Sequence, residues 1–319
     1  MAGGAKKVIF AALIGNALVA ATKFAAALIT GSSAMLSEGI HSLVDTGNQI
    51  LLLYGLHRSK QPADERFPFG HGKEVYFWSF VVAILIFAVG SGVSLYEGVI
   101  HLLHPEPMEK PYVNYLVLIL ALVFEGAAWT LALKEFSRGK GKWGLVQAVR
   151  RGKDPSLFVV LFEDSAAMLG LLAALSGVGL SHLTGNPSYD GAASLVIGLI
   201  LGGTAAWLAY ETKGLLIGEG ANQEVVEGIR DLARPYKEIE CINEILTLHM
   251  GPEFILVTIS ADFSNDANAE DVEIAIYLLV EQIKRTYPKV KKVFISAEDR
   301  SAKICTPPVV TFNPPDTPS

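Results

Sequence analysis

Apolar residues dominate six stretches of the chain, near 8–30, 34–57, 76–103, 112–136, 157–184 and 190–210. Each is long enough for a helix to cross a hydrocarbon core, which takes about 20 residues. The pattern predicts six transmembrane helices. After 210 the period changes. "QEVVEGIRDLARPY" (223–236) reads as a short amphipathic helix, and "NEILTLHMG" and "EFILVTISADF" as strands parted at Gly251-Pro252. "NAEDVEIAIYLLVEQIKRTYP" has helical spacing with Asn268 or a neighbour as cap, and "VKKVFISAE" is a third strand. The order αββαβ predicts a three-stranded sheet with both helices on one face, a small ferredoxin-like α+β domain. Five prolines among the last nineteen residues make the tail from Ser301 read as disordered. The expected organisation is a membrane domain over 1–210, an α+β domain over 211–300 and a tail over 301–319.

Composition agrees with a membrane protein: 51% of the 319 residues are hydrophobic and 18% charged. Residues 211–300 hold 17 acidic against 10 basic residues. With no basic excess there is no phosphate-binding surface, so nucleic acid is excluded as a partner and the bilayer is the expected one. Lysines and arginines cluster at Lys6 and Lys7, between helices 2 and 3 (Arg58, Lys60, Arg66, Lys73), and between helices 4 and 5, where seven fall from Lys134 to Lys153. The opposite loops hold only Lys110. The positive-inside rule then puts both termini in the cytoplasm. Asn16 and Lys23 interrupt the first apolar run, which argues against a cleaved signal peptide. A bacterial-type inner membrane is the expected location. Cys241 and Cys305 lack the paired spacing of a metal site and read as filler.

Against this apolar background "SEGIHSLVDTGNQ" (37–49) stands out. His41 and Asp45 are four apart on one helical face, and Glu38 and Asn48 extend the same stripe. Helix 5 offers Glu163 and Asp164 in "VVLFEDSAAMLG" at a similar depth. Charged groups in hydrocarbon cost about 2.5–3.5 kcal/mol on insertion scales, so they face a bundle interior or a cavity. Imidazole and carboxylate at this spacing, completed by a carboxylate from another helix, suit a borderline divalent cation such as Zn²⁺. The competing reading is a hydrogen-bond network that ties helices 2 and 5 together. Lys23 is expected to snorkel or to pair with an acid, and Glu97 and Glu125 to sit near helix ends. Gly198 and Gly202 allow close helix packing in helix 6. In the loop "QPADERFPFGHGKE" (61–74), Glu65 and His71 are candidates for an accessory metal site, against a plain turn.

These segments resemble the cation diffusion facilitators, a family of dimeric, proton-coupled transporters of divalent transition metals. "GSSAMLSEGIHSLVDTGNQ", "QPADERFPFGHGK", "FEDSAAMLG" and the αββαβ region carry the likeness, which covers nearly the whole chain. "DPSLFVVLFEDSAAMLG" with "TGNPSYDGAASLVIGLILG" is similar to the branch containing zinc transporter nine. The resemblance implies a homodimer that exchanges cytoplasmic Zn²⁺ for protons, with no resident cofactor. It assigns His41, Asp45 and Asp164 as ligands to the transported ion. At the fourth ligand position this chain has Val160, which cannot bind an ion. Glu163 is the nearest replacement, although adjacent residues point about 100° apart on a helix; Asn48, Met168 or water are alternatives. Phe67 stands where the family's loop has a histidine. In the α+β domain the expected histidines are replaced by Asn243, Thr258 and Ser296, so a metal site there is not expected.

Two other classes compete with this reading. An intramembrane metallohydrolase would need an acid beside an open coordination position, as in HExxH, which is absent. A metal sensor or scaffold leaves the membrane stripe unexplained. The expected function is therefore proton-coupled efflux of a divalent metal, Zn²⁺ first, with Mn²⁺, Fe²⁺ or Co²⁺ as alternative cargo.

Overall fold

The computed structural model describes residues 2–108, 110–139, 144 and 155–299. The seven basic residues from Lys134 to Lys153, Cys305 and the proline-rich tail fall largely or wholly outside them. The chain divides into two compact units, residues 1–217 and the remainder.

The first unit is built from α1 (Ala2–Thr30), α2 (Ser33–Arg58), α3 (Glu74–Leu103), α4 (Pro111–Gly139), α5 (Pro155–Thr184) and α6 (Ser188–Ile217). Among the described residues, α3, α4, α5 and α6 are long and apolar enough to cross a membrane, and Asn16–Thr30 of α1 is a shorter apolar run. Helix α2 is not among the four, because its apolar length is broken by the polar stripe. The last helix runs on to Ile217, past the expected end at 210.

Local chemistry explains where these helices turn and how they pack. Gly31 (φ +69°) follows α1 and donates its N–H to the Ala27 carbonyl at 2.8 Å. Gly185 (φ +69°) does the same for α5 through Ser181. A left-handed residue after a helix favours glycine. Helix α2 then starts at Ser32, whose hydroxyl accepts the Met35 N–H. A buried carboxylate from α6 completes this start. Asp190 accepts from Ser33 N (2.6 Å), Ala34 N (3.3 Å), Ser32 Oγ (2.7 Å) and Ser33 Oγ (3.1 Å). Negative charge is favoured at a helix N-terminus, whose first N–H groups lack intrahelical partners. Replacing Asp190 by Ala leaves those donors buried and unmet, and is expected to destabilise the first unit by about 1–3 kcal/mol. Thermal unfolding in detergent measures this.

Helices α3 and α6 approach through glycines. A Cβ on Gly198 would lie 2.7 Å from Leu95 Cγ, and one on Gly202 2.8 Å from Ser91 Oγ. The spacing of those two glycines thus corresponds to real contact. Midway along α3 the helix widens into a π turn over Ile86–Ser91, where Ser91 Oγ donates to the Gly198 carbonyl at 2.8 Å.

The second unit has the order α7 (Gln223–Ala233), β1 (Ile239–Gly251), β2 (Phe254–Phe263), α8 (Ala269–Thr286) and β3 (Val290–Ala297). Strand β2 is central, antiparallel to β1 and parallel to β3. Alternation along β2 buries Ile255, Val257, Ile259 and Ala261 against Ile229 and Ala233 of α7 and Leu279 and Ile283 of α8. Asn268 caps α8 in a reciprocal box with Asp271.

Candidate metal-transport site

Four helices of the first unit each turn one face toward a cavity of about 260 Å³. Helix α1 contributes Asn16 and Val19; α2 contributes Ser42, Asp45 and Gln49; α4 contributes Glu125, Ala128 and Ala132; α5 contributes Val160, Glu163, Asp164 and Ala167. The spacing of three and four within each set is that of a single helical face. Positions 160, 163, 164 and 167 form one stripe, so Glu163 and Asp164 both border the cavity and neither needs a distorted helix to do so.

Of the residues singled out in the sequence, Asp45, Glu163 and Asp164 share this cavity. Glu163 is buried, accepts the Asn48 side-chain N–H at 2.5 Å, and lies within hydrogen-bonding reach of Asp45. Asn48 thus holds a cavity residue in place from the adjoining face of α2. His41 is 1% exposed and does not border the cavity; its Nδ1 is 3.3 Å from Asp45 Oδ1. That contact lacks hydrogen-bond geometry, and both imidazole nitrogens are buried without a hydrogen-bond partner. Among the described residues no three His, Cys, Asp or Glu side chains are already drawn together as a metal site. Val160 borders the cavity where the resemblance would place a ligand, and its isopropyl group leaves that wall apolar.

Lys23 pairs with acids and does not snorkel. Its ammonium is fully buried and donates to Glu38 Oε2 (3.0 Å), Ser42 Oγ (2.8 Å) and Glu125 Oε1 (2.8 Å), linking α1, α2 and α4. Glu125 corrects an expectation: it lies near the middle of α4, not at its end, and borders the cavity. Its position was recoverable, because one acid centred in an apolar helix is costly unless it is paired. Glu38 faces the other way, so close to α5 that a Cβ on Gly170 would overlap its carboxylate.

In the loop between α2 and α3, His71 is buried and pairs through Nε2 with Asp64 Oδ2 at 3.0 Å, while Glu65 is exposed. Asp64, not Glu65, takes the histidine because the Phe67 N–H fixes its other oxygen at 2.6 Å. The Phe67 N–H and the His71 ring hold the Asp64 carboxyl below the usual carboxylate range. Phe67 itself packs on His71, with ring centroids 4.5 Å apart.

In the second unit the positions where the resemblance would place histidines are engaged otherwise or apart. Asn243 Nδ2 donates to Ser260 Oγ (3.3 Å) and the Glu298 carbonyl (3.1 Å), and Ser296 Oγ donates to Glu298 Oε1 at 3.1 Å. The Ser260 and Ser296 hydroxyls hold the Glu298 carboxyl below its ordinary range. Thr258 sits on the exposed side of β2. Amide and hydroxyl groups are weak zinc ligands beside His or Cys. Calorimetry on residues 218–299 is expected to show no tight, stoichiometric zinc binding; one equivalent bound tightly would contradict this.

The first unit is thus a helical membrane unit with an acidic cavity between four of its helices. The family model for the cation efflux transmembrane domain matches residues 9–217. The chain belongs to that family, the cation diffusion facilitators, and is an integral, multi-pass membrane protein similar to zinc transporter nine. It is 38% identical over 262 residues to the proton-coupled zinc antiporter SLC30A9, mitochondrial, of Xenopus laevis, covering 82% of this chain and 47% of that protein. It is 30% identical over 261 residues to metal tolerance protein C4 of Arabidopsis thaliana, covering 81% and 57%. It is 30% identical over 250 residues to the cation-efflux pump FieF of Klebsiella pneumoniae, covering 75% and 78%. The chain spans about half the length of the zinc antiporter it matches.

Proposed function

We propose that the protein exports divalent transition-metal cations, Zn²⁺ first, in exchange for protons, by alternating access of the cavity that Asp45, Glu163 and Asp164 share. The observation that carries this reading is the convergence of four carboxylates, Asp45, Glu125, Glu163 and Asp164, on one cavity between four helices. His41, one turn from Asp45, also belongs to the site, and its unsatisfied nitrogens leave a lone pair available to a metal. All six long helices span the bilayer, α2 included, because its polar stripe faces protein and the cavity instead of lipid. Both termini are cytoplasmic, and two copies associate. The second unit is a ferredoxin-like cytoplasmic domain. The named relatives are mitochondrial in one case and from a bacterium in another.

Charge balance supplies the mechanism. A dication leaving this cavity strands carboxylates in a medium that solvates them poorly. Protons take its place and keep the empty carrier close to neutral while it reorients. Metal ligands must be deprotonated to bind, so loading releases protons on one side, and a more acidic far side favours unloading.

Purified protein in liposomes, offered Zn²⁺, Mn²⁺, Fe²⁺ and Co²⁺ in parallel, tests the cargo. Zn²⁺ is expected to move fastest. Faster Mn²⁺, Fe²⁺ or Co²⁺ would reassign the cargo, and no flux of any metal would leave a metal-binding sensor or scaffold.

A further inference from the structure

We propose that Glu125 supplies the cargo ligand that Val160 cannot, and that Lys23 is the positioning residue that presents it. This rests on the cavity being the transport site. Glu125 and Val160 border the same cavity, one from α4 and the other from α5. The two oxygens of Glu125 are treated differently. Oε1 accepts from Lys23 Nζ at 2.8 Å, whereas Oε2 is buried with no hydrogen-bond partner. A buried acceptor left unmet is costly and calls for a reason. Lys23 cannot meet it. An ammonium has three donors, and all three are engaged, by Glu38, Ser42 and Glu125 Oε1.

The charges agree with the geometry. One ammonium faces two carboxylates, so the group keeps one net negative charge. Glu38 also keeps one buried oxygen, Oε1, without a partner, but that oxygen is packed against α5 at Gly170 and Glu38 does not border the cavity, so position and not the unmet oxygen separates the two acids. The surplus charge is therefore available to the cavity only through Glu125. A dication arriving there meets an oxygen already oriented, held by its partner oxygen. Such preorganisation is what a bound metal asks of the groups behind its ligands. Carboxylate oxygen is an ordinary zinc donor, so Glu125 restores by a different helix what the sequence of α5 has lost.

A purely structural role for the network makes a different prediction, because Glu38 and Glu125 are then equivalent partners of Lys23. Zinc binding to the full-length protein in detergent is measured by calorimetry for wild type, Glu125→Gln, Glu125→Asp, Glu38→Gln and Asp45→Asn, with the visible spectrum of bound Co²⁺ as a second readout. Glu125→Gln is expected to weaken zinc about tenfold or more and to change the Co²⁺ bands; Glu125→Asp lies between and serves if the Gln variant does not fold. Glu38→Gln is expected to weaken zinc less than Glu125→Gln, through the lost charge alone, and to leave the Co²⁺ bands of wild type unchanged, since it lies outside the metal's ligands. Wild-type affinity and Co²⁺ bands in the Glu125 variants, with binding lost in Asp45→Asn, would overturn this inference and leave the cavity as the transport site. Equal weakening by Glu38→Gln and Glu125→Gln would also overturn it. Unchanged binding in Asp45→Asn would remove the transport site itself.

Discussion

Asp45→Ala is expected to reduce zinc flux in proteoliposomes to that of empty vesicles while the protein stays folded. Asp45 is the residue where the separate parts of the site meet: it borders the cavity, lies against His41, and reaches Glu163 across the α2–α5 boundary. Among the described residues no other residue of the cavity wall has all three relations. Losing its carboxylate removes one donor and unseats the orientation of two others. The fold has little to lose by the same change. Asp45 is one of several carboxylates crowded into a poorly solvating space, and like charges there repel. Removing one relieves that repulsion, so the unfolding temperature of Asp45→Ala is expected to equal or exceed that of wild type. Flux that persists at the wild-type rate would take Asp45 out of the site.

Lys23→Met has the opposite signature, a loss of folded protein. Lys23 is fully buried and bridges three helices, and its removal leaves Glu38 and Glu125 without their cation. Breaking a buried ion pair from one side costs about 3–5 kcal/mol, a large share of a typical net stability. The cost lies in the stranded acids rather than in the missing ammonium. Adding Glu38→Gln and Glu125→Gln to Lys23→Met is therefore expected to restore most of the folded yield, because neutral groups of similar shape need no counter-charge. Size-exclusion chromatography and thermal unfolding in detergent separate the two variants. Equal instability in the single and the triple substitution would mean that Lys23 acts through packing and not through charge.

Periodicity alone made much of this architecture legible. The αββαβ order, the cap at Asn268 and the close approach at Gly198 and Gly202 all follow from local rules of spacing and backbone preference. The α2 stripe and the acids of α5 were visible because charge in an apolar run is costly wherever it occurs. Their partners were not visible. Which face of α4 meets Lys23 depends on how α1, α2 and α4 are rotated about their axes, and no local pattern sets that rotation. Glu125 reads from the sequence as a helix-end acid, yet it sits near the centre of α4, where an unpaired acid would be costly. Helical phase also explains Glu163 and Asp164: the cavity is wide enough to be bordered by two adjacent positions, so the 100° between them is no obstacle. In the loop, Asp64 replaced Glu65 as the partner of His71 through a single backbone hydrogen bond from Phe67. Such a choice is made by the turn and cannot be read from residue type.

Zinc flux into proteoliposomes under an imposed pH gradient, with membrane potential clamped, tests proton-coupled export most directly. Zinc is expected to move toward the acidic side, reversing the gradient to reverse the driven flux, and proton movement of opposite direction to accompany it. Zinc flux indifferent to the gradient and to its reversal would contradict proton exchange and leave a facilitative carrier or channel in its place.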